Sequence, residues 1–223
     1  DKMPADHTEH AFETAIEHHL TTAGGYDKGN RDGFDLERSL FPADMIAFVQ
    51  ETQPKEWGYL ANIQKEKAQE TLLDDLCRAL NSEHEGCLSV LRHGFKCFGK
   101  PFRVAYFAPA SGLNPETQKL YASNRLTITR QLRYSAKHGN TLDVTLSLNG
   151  IPLATLELKN PMTAQTWRNA ITQYKNDRDP KDLIFQFKKR TLVHFAVDTD
   201  EVYMTTHLLG NNTRFLPFNK GRG

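Results

Sequence analysis

Apolar positions recur every three to four residues through the first third of the chain and every second residue through much of the rest. Phe12, Ile16 and Leu20 form an i, i+4, i+8 stripe that predicts a helix over about His7 to Ala23, with Gly24-Gly25 as its stop. A helix is expected after Pro42 (ADMIAFVQET) and another over about Ile63 to Asn81, where Leu72, Leu73, Leu76 and Leu80 mark a buried face. Residues 26 to 39 are rich in Gly and Asp and read as loop. From Phe102 the period shortens to two. VAYF (104 to 107), RLTITRQLRY (125 to 134), TLDVTLSL (141 to 148), LATLELK (153 to 159), TLVHFAV (191 to 197) and VYMTTH (202 to 207) are expected strands. Helices over about Ala164 to Asn176 and near Lys181 to Lys189 separate the fourth and fifth of them. This order predicts an α/β fold, a mixed central sheet flanked by helices over residues 101 to 223, with a mainly helical part over residues 1 to 100 of the same domain.

The hairpin TLDVTLSLNGIPLATLELKN (141 to 160) carries the candidate chemistry. Leu142, Val144, Leu146 and Leu148 alternate with Thr141, Asp143, Thr145 and Ser147, so Asp143 is expected opposite the apolar set; Glu157 and Lys159 share a face on the next strand. A strict two-residue turn at Asn149-Gly150 would put Asp143 and Glu157 on opposite faces. A bulge or a three-residue connection, for which Gly150 or Pro152 is suited, restores the parity, and a bulge is predicted.

Two carboxylates side by side repel, and burial raises the cost of their charge. A Mg²⁺ ion held by Asp143 and Glu157, with a main-chain carbonyl such as that of Leu158 as a third ligand, accounts for the pair and suits phosphodiester hydrolysis, because this hard ion prefers oxygen and keeps several waters. Lys159 would orient the attacking water or offset developing charge. The competing reading is a structural salt bridge, since the bare pattern [DE]xK is weak and recurs at Asp179-Pro180-Lys181, in a proline-bearing turn.

Charge is unevenly spread. Residues 1 to 118 carry 12 Lys and Arg against 19 Asp and Glu, whereas residues 119 to 190 carry 13 against 5, so the hairpin lies in the basic segment, as a polyanionic substrate requires. Arg125, Arg130, Arg133 and Lys137 ahead of the hairpin, and Arg168, Lys175 and Arg178 after it, are candidate contacts to DNA phosphates, which give affinity without sequence choice. Tyr134 and Trp167 read as core, with base stacking as the alternative.

Other signals point away from other classes. Gly94, Gly99 and Lys100 fit GxxxxGK, but Pro101 replaces the Ser or Thr that would hold Mg²⁺, and a strand rather than a helix is expected to follow. Cys77, Cys87 and Cys97 form no CxxC pair and read as buried free thiols; His7, His10, His18 and His19 read as a solvated helix end rather than a metal cluster. The longest apolar runs are far short of a membrane span and no leader opens the chain, so a cytoplasmic protein is expected.

The hairpin LDVTLSLNGIPLATLELKN resembles the PD-(D/E)xK nuclease core. Together with NRLTITRQLRYS before it, and AITQYKNDRDP and KRTLVHFAVDTDEVYMTTHL after it, it is similar to the N-terminal nuclease region of the restriction (motor) subunit of type I restriction-modification enzymes. The resemblance implies a Mg²⁺-dependent, bacterial or archaeal endonuclease domain acting on double-stranded DNA. It also implies an ATP-driven translocase, absent from this chain, and methylation and specificity subunits as partners. With no helicase motif before the polar NKGRG, the chain reads as a fragment of a longer polypeptide. Asp143, Glu157 and Lys159 take the positions of the catalytic acid, acid and lysine, with Leu142 where proline is usual. Gln173 fits the first position of a QxxxY motif whose fifth position is Asp177. Glu13 is the candidate for a recurrent first-helix glutamate, against a solvated helix acid. A catalytically silent DNA-binding or subunit-docking module of the same fold is the alternative function.

Overall fold

A computed structural model of the protein describes residues 5–219, with side chains from Glu9 to Phe218. The side chain of His7 and the polar run beyond Asn219 lie outside the described residues. The elements in order are α1 (Ala5–Thr22), β1 (Asp27–Lys28), α2 (Pro42–Thr52), α3 (Pro54–Gln64), α4 (Ala68–Asn81), α5 (Gly86–His93), β2 (Phe95–Cys97), β3 (Lys100–Phe102), α6 (Pro115–Ala122), β4 (Leu126–Arg133), β5 (Thr141–Leu148), β6 (Ile151–Leu158), α7 (Trp167–Asp177), β7 (Val193–Val197), β8 (Val202–Thr205) and β9 (Leu216–Asn219). The fold is α/β, as expected.

A seven-stranded sheet runs in the order β1-β4-β5-β6-β7-β8-β9, and β2 and β3 form a separate hairpin. Pairing is antiparallel except for β1 with β4 and β6 with β7. The β6 to β7 crossover carries α7, so β6, with the two candidate residues Glu157 and, just past its end, Lys159, lies in the middle of the sheet. Phe12, Ile16 and Leu20 of α1 pack on Ile128, Val144, Leu158 and Val197. Tyr174 of α7 packs with Leu132, Tyr134, Leu142 and Phe185. The sheet is therefore buried on both faces, which is why Thr145 and Ser147, read as polar positions, and Thr155 beside them have almost no exposure. The helices α2 to α5 close a further core with the β2–β3 hairpin, reaching the sheet through Ile151, Leu148 and Leu153. Residue 100, the expected limit of the helical part, falls in β3. Among the described residues no helix is long and apolar enough to cross a membrane.

Four local expectations are corrected. The segment 104 to 107 is not a strand, because its backbone groups are satisfied by side chains: Asn149 Nδ2 donates to Val104 O (2.8 Å), Asn124 Oδ1 accepts from Tyr106 N (3.1 Å), and Asn124 Nδ2 donates to Tyr106 O (2.6 Å). The segment Lys181 to Lys189 contains only a 3-10 turn, Leu183–Phe185; the carboxylate of Asp182, which could have capped a longer helix, instead accepts from Ser135 Oγ (3.1 Å) and pairs with His138 (2.9 Å). The helix expected over 63 to 81 is broken at Lys65, whose φ is +52°, so Ile63 falls in the last turn of α3 and the leucine face belongs to α4. The 26 to 39 loop holds β1, whose Asp27 and Lys28 pair with Thr127 and Ile128.

Gly94 caps α5, and Phe98 and Gly99, both with positive φ, turn β2 into β3, so the GxxxxGK string builds a hairpin and no phosphate-binding helix follows it. The three cysteines are free, Cys87 and Cys97 being buried and Cys77 half-buried. His10, His18 and His19 are exposed on α1.

Candidate functional site

The turn between β5 and β6 is the two-residue Asn149-Gly150, with φ of +51° and +85°, the conformation that favours Asn-Gly in tight hairpins. From Leu148↔Ile151 and Ser147↔Pro152 the register shifts to Leu146↔Ala154 and continues to Val144↔Leu156. Leu153 is the extra residue, and the predicted bulge is present. Continuing the shifted register sets Asp143 opposite Glu157.

Beyond Val144 and Leu156 the main-chain ladder between these strands stops, and the Asp143 carboxylate enters the gap: Leu158 N donates to Asp143 Oδ2 at 2.8 Å. The neighbouring strand contributes Gln131, held at φ +50°, an uncommon conformation for a side chain of this kind. Its amide donates to Glu13 Oε1 (2.6 Å) and to Asp143 Oδ1 (3.4 Å), and its Oε1 accepts from Thr141 Oγ1 (2.8 Å). Four elements thus meet at one point: α1, β4, β5 and β6.

Glu157 is fully buried. Its Oε1 accepts from Arg178 Nε at 2.6 Å, and among the described residues no donor reaches its Oε2. Burial first, and then the Asp143 carboxylate within hydrogen-bonding reach, push its pKa up to about 8, against the pull of the Arg178 guanidinium. Glu13 is also raised, by burial and then by Asp143, with Arg130 and Gln131 opposing. Lys159 Nζ lies 3.8 Å from Glu9 Oε1 of α1, and its side chain is 13% exposed.

The structure therefore brings Asp143, Glu157 and Lys159 to one end of β5 and β6, with Glu13 beside them. Glu13 is 4% exposed and bonded to Arg130 Nε (3.1 Å), so the solvated-acid alternative for it does not hold. Gln173 is half-buried on α7, one residue before the buried Tyr174, whose hydroxyl shares a 2.8 Å hydrogen bond with Thr155 Oγ1 of β6.

The basic residues separate into two groups. Arg133, Lys137 and Arg168 are exposed and Lys175 is half-buried, Arg168 lying over the Trp167 ring at 4.3 Å. Arg125 pairs with Glu51 (2.7 Å), and Arg130 with Glu13 (3.1 Å) and Glu17 (3.6 Å). Arg178, expected at DNA phosphates, is instead buried: besides Glu157 it donates to Thr141 O (2.9 Å) and Tyr134 Oη (3.4 Å). Tyr134 is core, and Trp167 stacks on Tyr203 with centroids 3.8 Å apart.

Sequence reasoning missed Gln131 and Glu9, and gave Arg178 a place on DNA rather than at the acid pair. For Glu9 a signal existed: Glu9, Glu13 and Glu17 are spaced i, i+4, i+8, and the structure pairs each with a cation of the sheet, Lys159, Arg130 and Lys28 respectively. Arg178 and Gln131 carried none, because their partners are set by the fold.

Among the described residues no group of three or more His, Cys, Asp or Glu comes together closely enough to hold a metal ion. A cation at Asp143 and Glu157 would take its remaining ligands from main-chain carbonyls, water and substrate oxygens, which suits Mg²⁺. The partnerless Glu157 Oε2 beside a second carboxylate fits that donor set.

A seven-stranded mixed sheet flanked by helices, with α1 on one face and α7 on the other, is consistent with a nuclease-like core. The chain belongs to the family of the type I restriction enzyme R protein N terminus, whose model matches residues 7–213. No curated protein matches it.

Proposed function

We propose that this chain is the endonuclease domain of a type I restriction enzyme R subunit and hydrolyses DNA phosphodiester bonds in a Mg²⁺-dependent reaction without reading sequence itself. The observation that carries the reading is the half-buried Asp143 juxtaposed with the buried Glu157, one Glu157 oxygen receiving no donor among the described residues and Lys159 lying two residues on. Asp143 and Glu157 are the metal-binding groups, and Leu158 N fixes the Asp143 carboxylate. When bound, Mg²⁺ lowers the pKa of water and neutralises phosphate charge. Lys159, a compact ammonium held near Glu9, positions the attacking water and offsets charge developing on the phosphate. Gln173 is a further catalytic candidate, supported by the family resemblance and its place on α7 beside Tyr174.

Double-stranded DNA is the substrate. Arg133, Lys137 and Arg168 are available to its phosphates, with Lys175 partly so; Arg125 and Arg130 would first have to leave Glu51 and Glu13. ATP acts through a translocase outside this chain, and methylation and specificity subunits are the partners in the bacterial or archaeal cytoplasm. A catalytically silent docking or DNA-binding module is the second reading, favoured by the buried Glu157–Arg178 pair, which also serves as a structural salt bridge. Nicking of supercoiled plasmid by the full-length subunit, assembled with its partners, separates the two. Glu157→Ala and Lys159→Ala should abolish Mg²⁺-dependent nicking; if both cut as fast as the parent, the catalytic assignment is wrong.

A further inference from the structure

We propose that Arg178 is a positioning residue of the acid pair, holding the Glu157 carboxylate so that its second oxygen faces Asp143 in readiness for a divalent cation; the proposal rests on the metal-binding reading above. The geometry is specific. Arg178 is 5% exposed and follows α7, yet its guanidinium reaches three strands: Nε to Glu157 Oε1 on β6 (2.6 Å), Nη2 to Thr141 O on β5 (2.9 Å), and Nη1 to Tyr134 Oη just past β4 (3.4 Å). It also lies 5.6 Å from the centroid of the Tyr134 ring.

A planar fork with donors in fixed directions can bind one carboxylate oxygen while two further anchors hold the fork itself. The consequence falls on Glu157. One oxygen is engaged, so rotation of the carboxylate about its last torsion is stopped, and the other oxygen stays buried, with no donor among the described residues and the Asp143 carboxylate within reach. A group that orients a ligand from behind commonly alters metal affinity by about 10–100-fold when removed. Burial of an ion pair does not require this arrangement, since a lysine of similar reach would neutralise the charge without fixing the plane.

The test uses Tb³⁺ luminescence, sensitised by the protein's aromatic residues, as a direct readout of cation binding to the chain without turnover. Arg178→Lys, which keeps the charge and loses the fork, should weaken Tb³⁺ affinity by about 10–100-fold while the chain still melts cooperatively. Arg178→Gln should weaken it further. Tyr134→Phe, which removes one anchor and touches neither acid, should shift affinity in the same direction by less. Unchanged affinity in a folded Arg178→Lys overturns the proposal. Should both Arg178 variants fail to fold, Tyr134→Phe decides: weaker binding supports the proposal and unchanged binding overturns it. Asp143→Asn distinguishes the two levels. If it loses Tb³⁺ and Arg178→Lys does not, only the role of Arg178 falls; if Asp143→Asn binds as the parent does, the metal-binding reading falls and the proposal with it.

Discussion

Asp143 and Glu157 stand on adjacent strands within hydrogen-bonding reach of each other, and the buried Glu157 titrates near 8. In the metal-free protein the folded state therefore keeps a proton on Glu157 that the unfolded chain releases near the ordinary value of 4.5, so this group's stabilisation is lost as pH rises through about 8. His194 works in the opposite sense: burial lowers its pKa to about 3, so the unfolded chain binds a proton first and stability is lost as pH falls below 6.5. Denaturant titrations without metal should give a stability maximum between these limbs. Glu157→Gln should flatten the alkaline limb, by an amount on the order of a few kcal/mol, and leave the acid limb in place. A parent whose stability does not fall between pH 5 and 8 relative to Glu157→Gln would contradict the raised pKa.

The turn that sets the hairpin should be intolerant of substitution. A Cβ on Gly150 would lie 2.3 Å from Phe41 O and 3.1 Å from Met45 N, both backbone atoms, at a φ of +85°. Gly150→Ala should cost about 2 kcal/mol or more in urea unfolding. Asn149→Ala should also destabilise, because its side chain accepts from Arg125 N (2.7 Å) and donates to Val104 O (2.8 Å) and Asn124 Oδ1 (3.0 Å). Wild-type stability in either variant would refute the close packing of this turn.

The same turn shows how far the sequence could be read. Strand alternation and the parity of a two-residue loop were enough to require a bulge if Asp143 and Glu157 were to meet, and the structure has it at Leu153. Local pattern also located α1, α2, α7 and strands β4 to β8 to within a few residues. It failed where distant side chains replace local partners. Val104 to Phe107 has the composition of a strand, yet Asn124 and Asn149 supply hydrogen bonds that a neighbouring strand would have supplied. The edge strand β9 was missed because Pro217 and only four residues give little signal, although an edge tolerates proline. Arg178 reads as one more basic residue until a partner 21 positions earlier makes it part of the acid site. The carboxylates could be nominated from the strand pattern; the groups that hold them are defined only by the folded chain.

Arg190, which has no acid partner among the described residues, should contribute strongly to stability. Fully buried, it donates to Arg38 O twice (2.9 and 2.6 Å), to Asn81 Oδ1 (2.9 Å), to Lys189 O (2.7 Å) and toward Cys77 Sγ (3.7 Å). These bonds join the loop before α2 and the end of α4 to the segment leading into β7. Arg190→Met fills much of the space but leaves the acceptors without donors, and should cost about 3–5 kcal/mol. Urea unfolding measures this, and the rate of Cys77 alkylation should rise as the surrounding contacts loosen. A cost below about 1 kcal/mol would show that water or neighbouring groups replace the guanidinium.

DNA affinity should follow exposure rather than the count of positive charges. Arg133, Lys137 and Arg168 face solvent, whereas Arg125 and Arg130 are tied to Glu51, Glu13 and Glu17. Each phosphate contact releases counterions and contributes about 0.9 to the slope of log affinity against log salt. Lys137→Ala and Arg168→Ala should each flatten that slope by about this amount on a nonspecific duplex, with Ca²⁺ in place of Mg²⁺ to limit cutting. Arg125→Ala should change it less, since the arginine exchanges one anionic partner for another. If Arg125 dominates the slope and Lys137 and Arg168 leave it unaltered, the duplex approaches over α2 and β4 rather than over the β4–β5 loop and the start of α7, and the proposed DNA path is wrong.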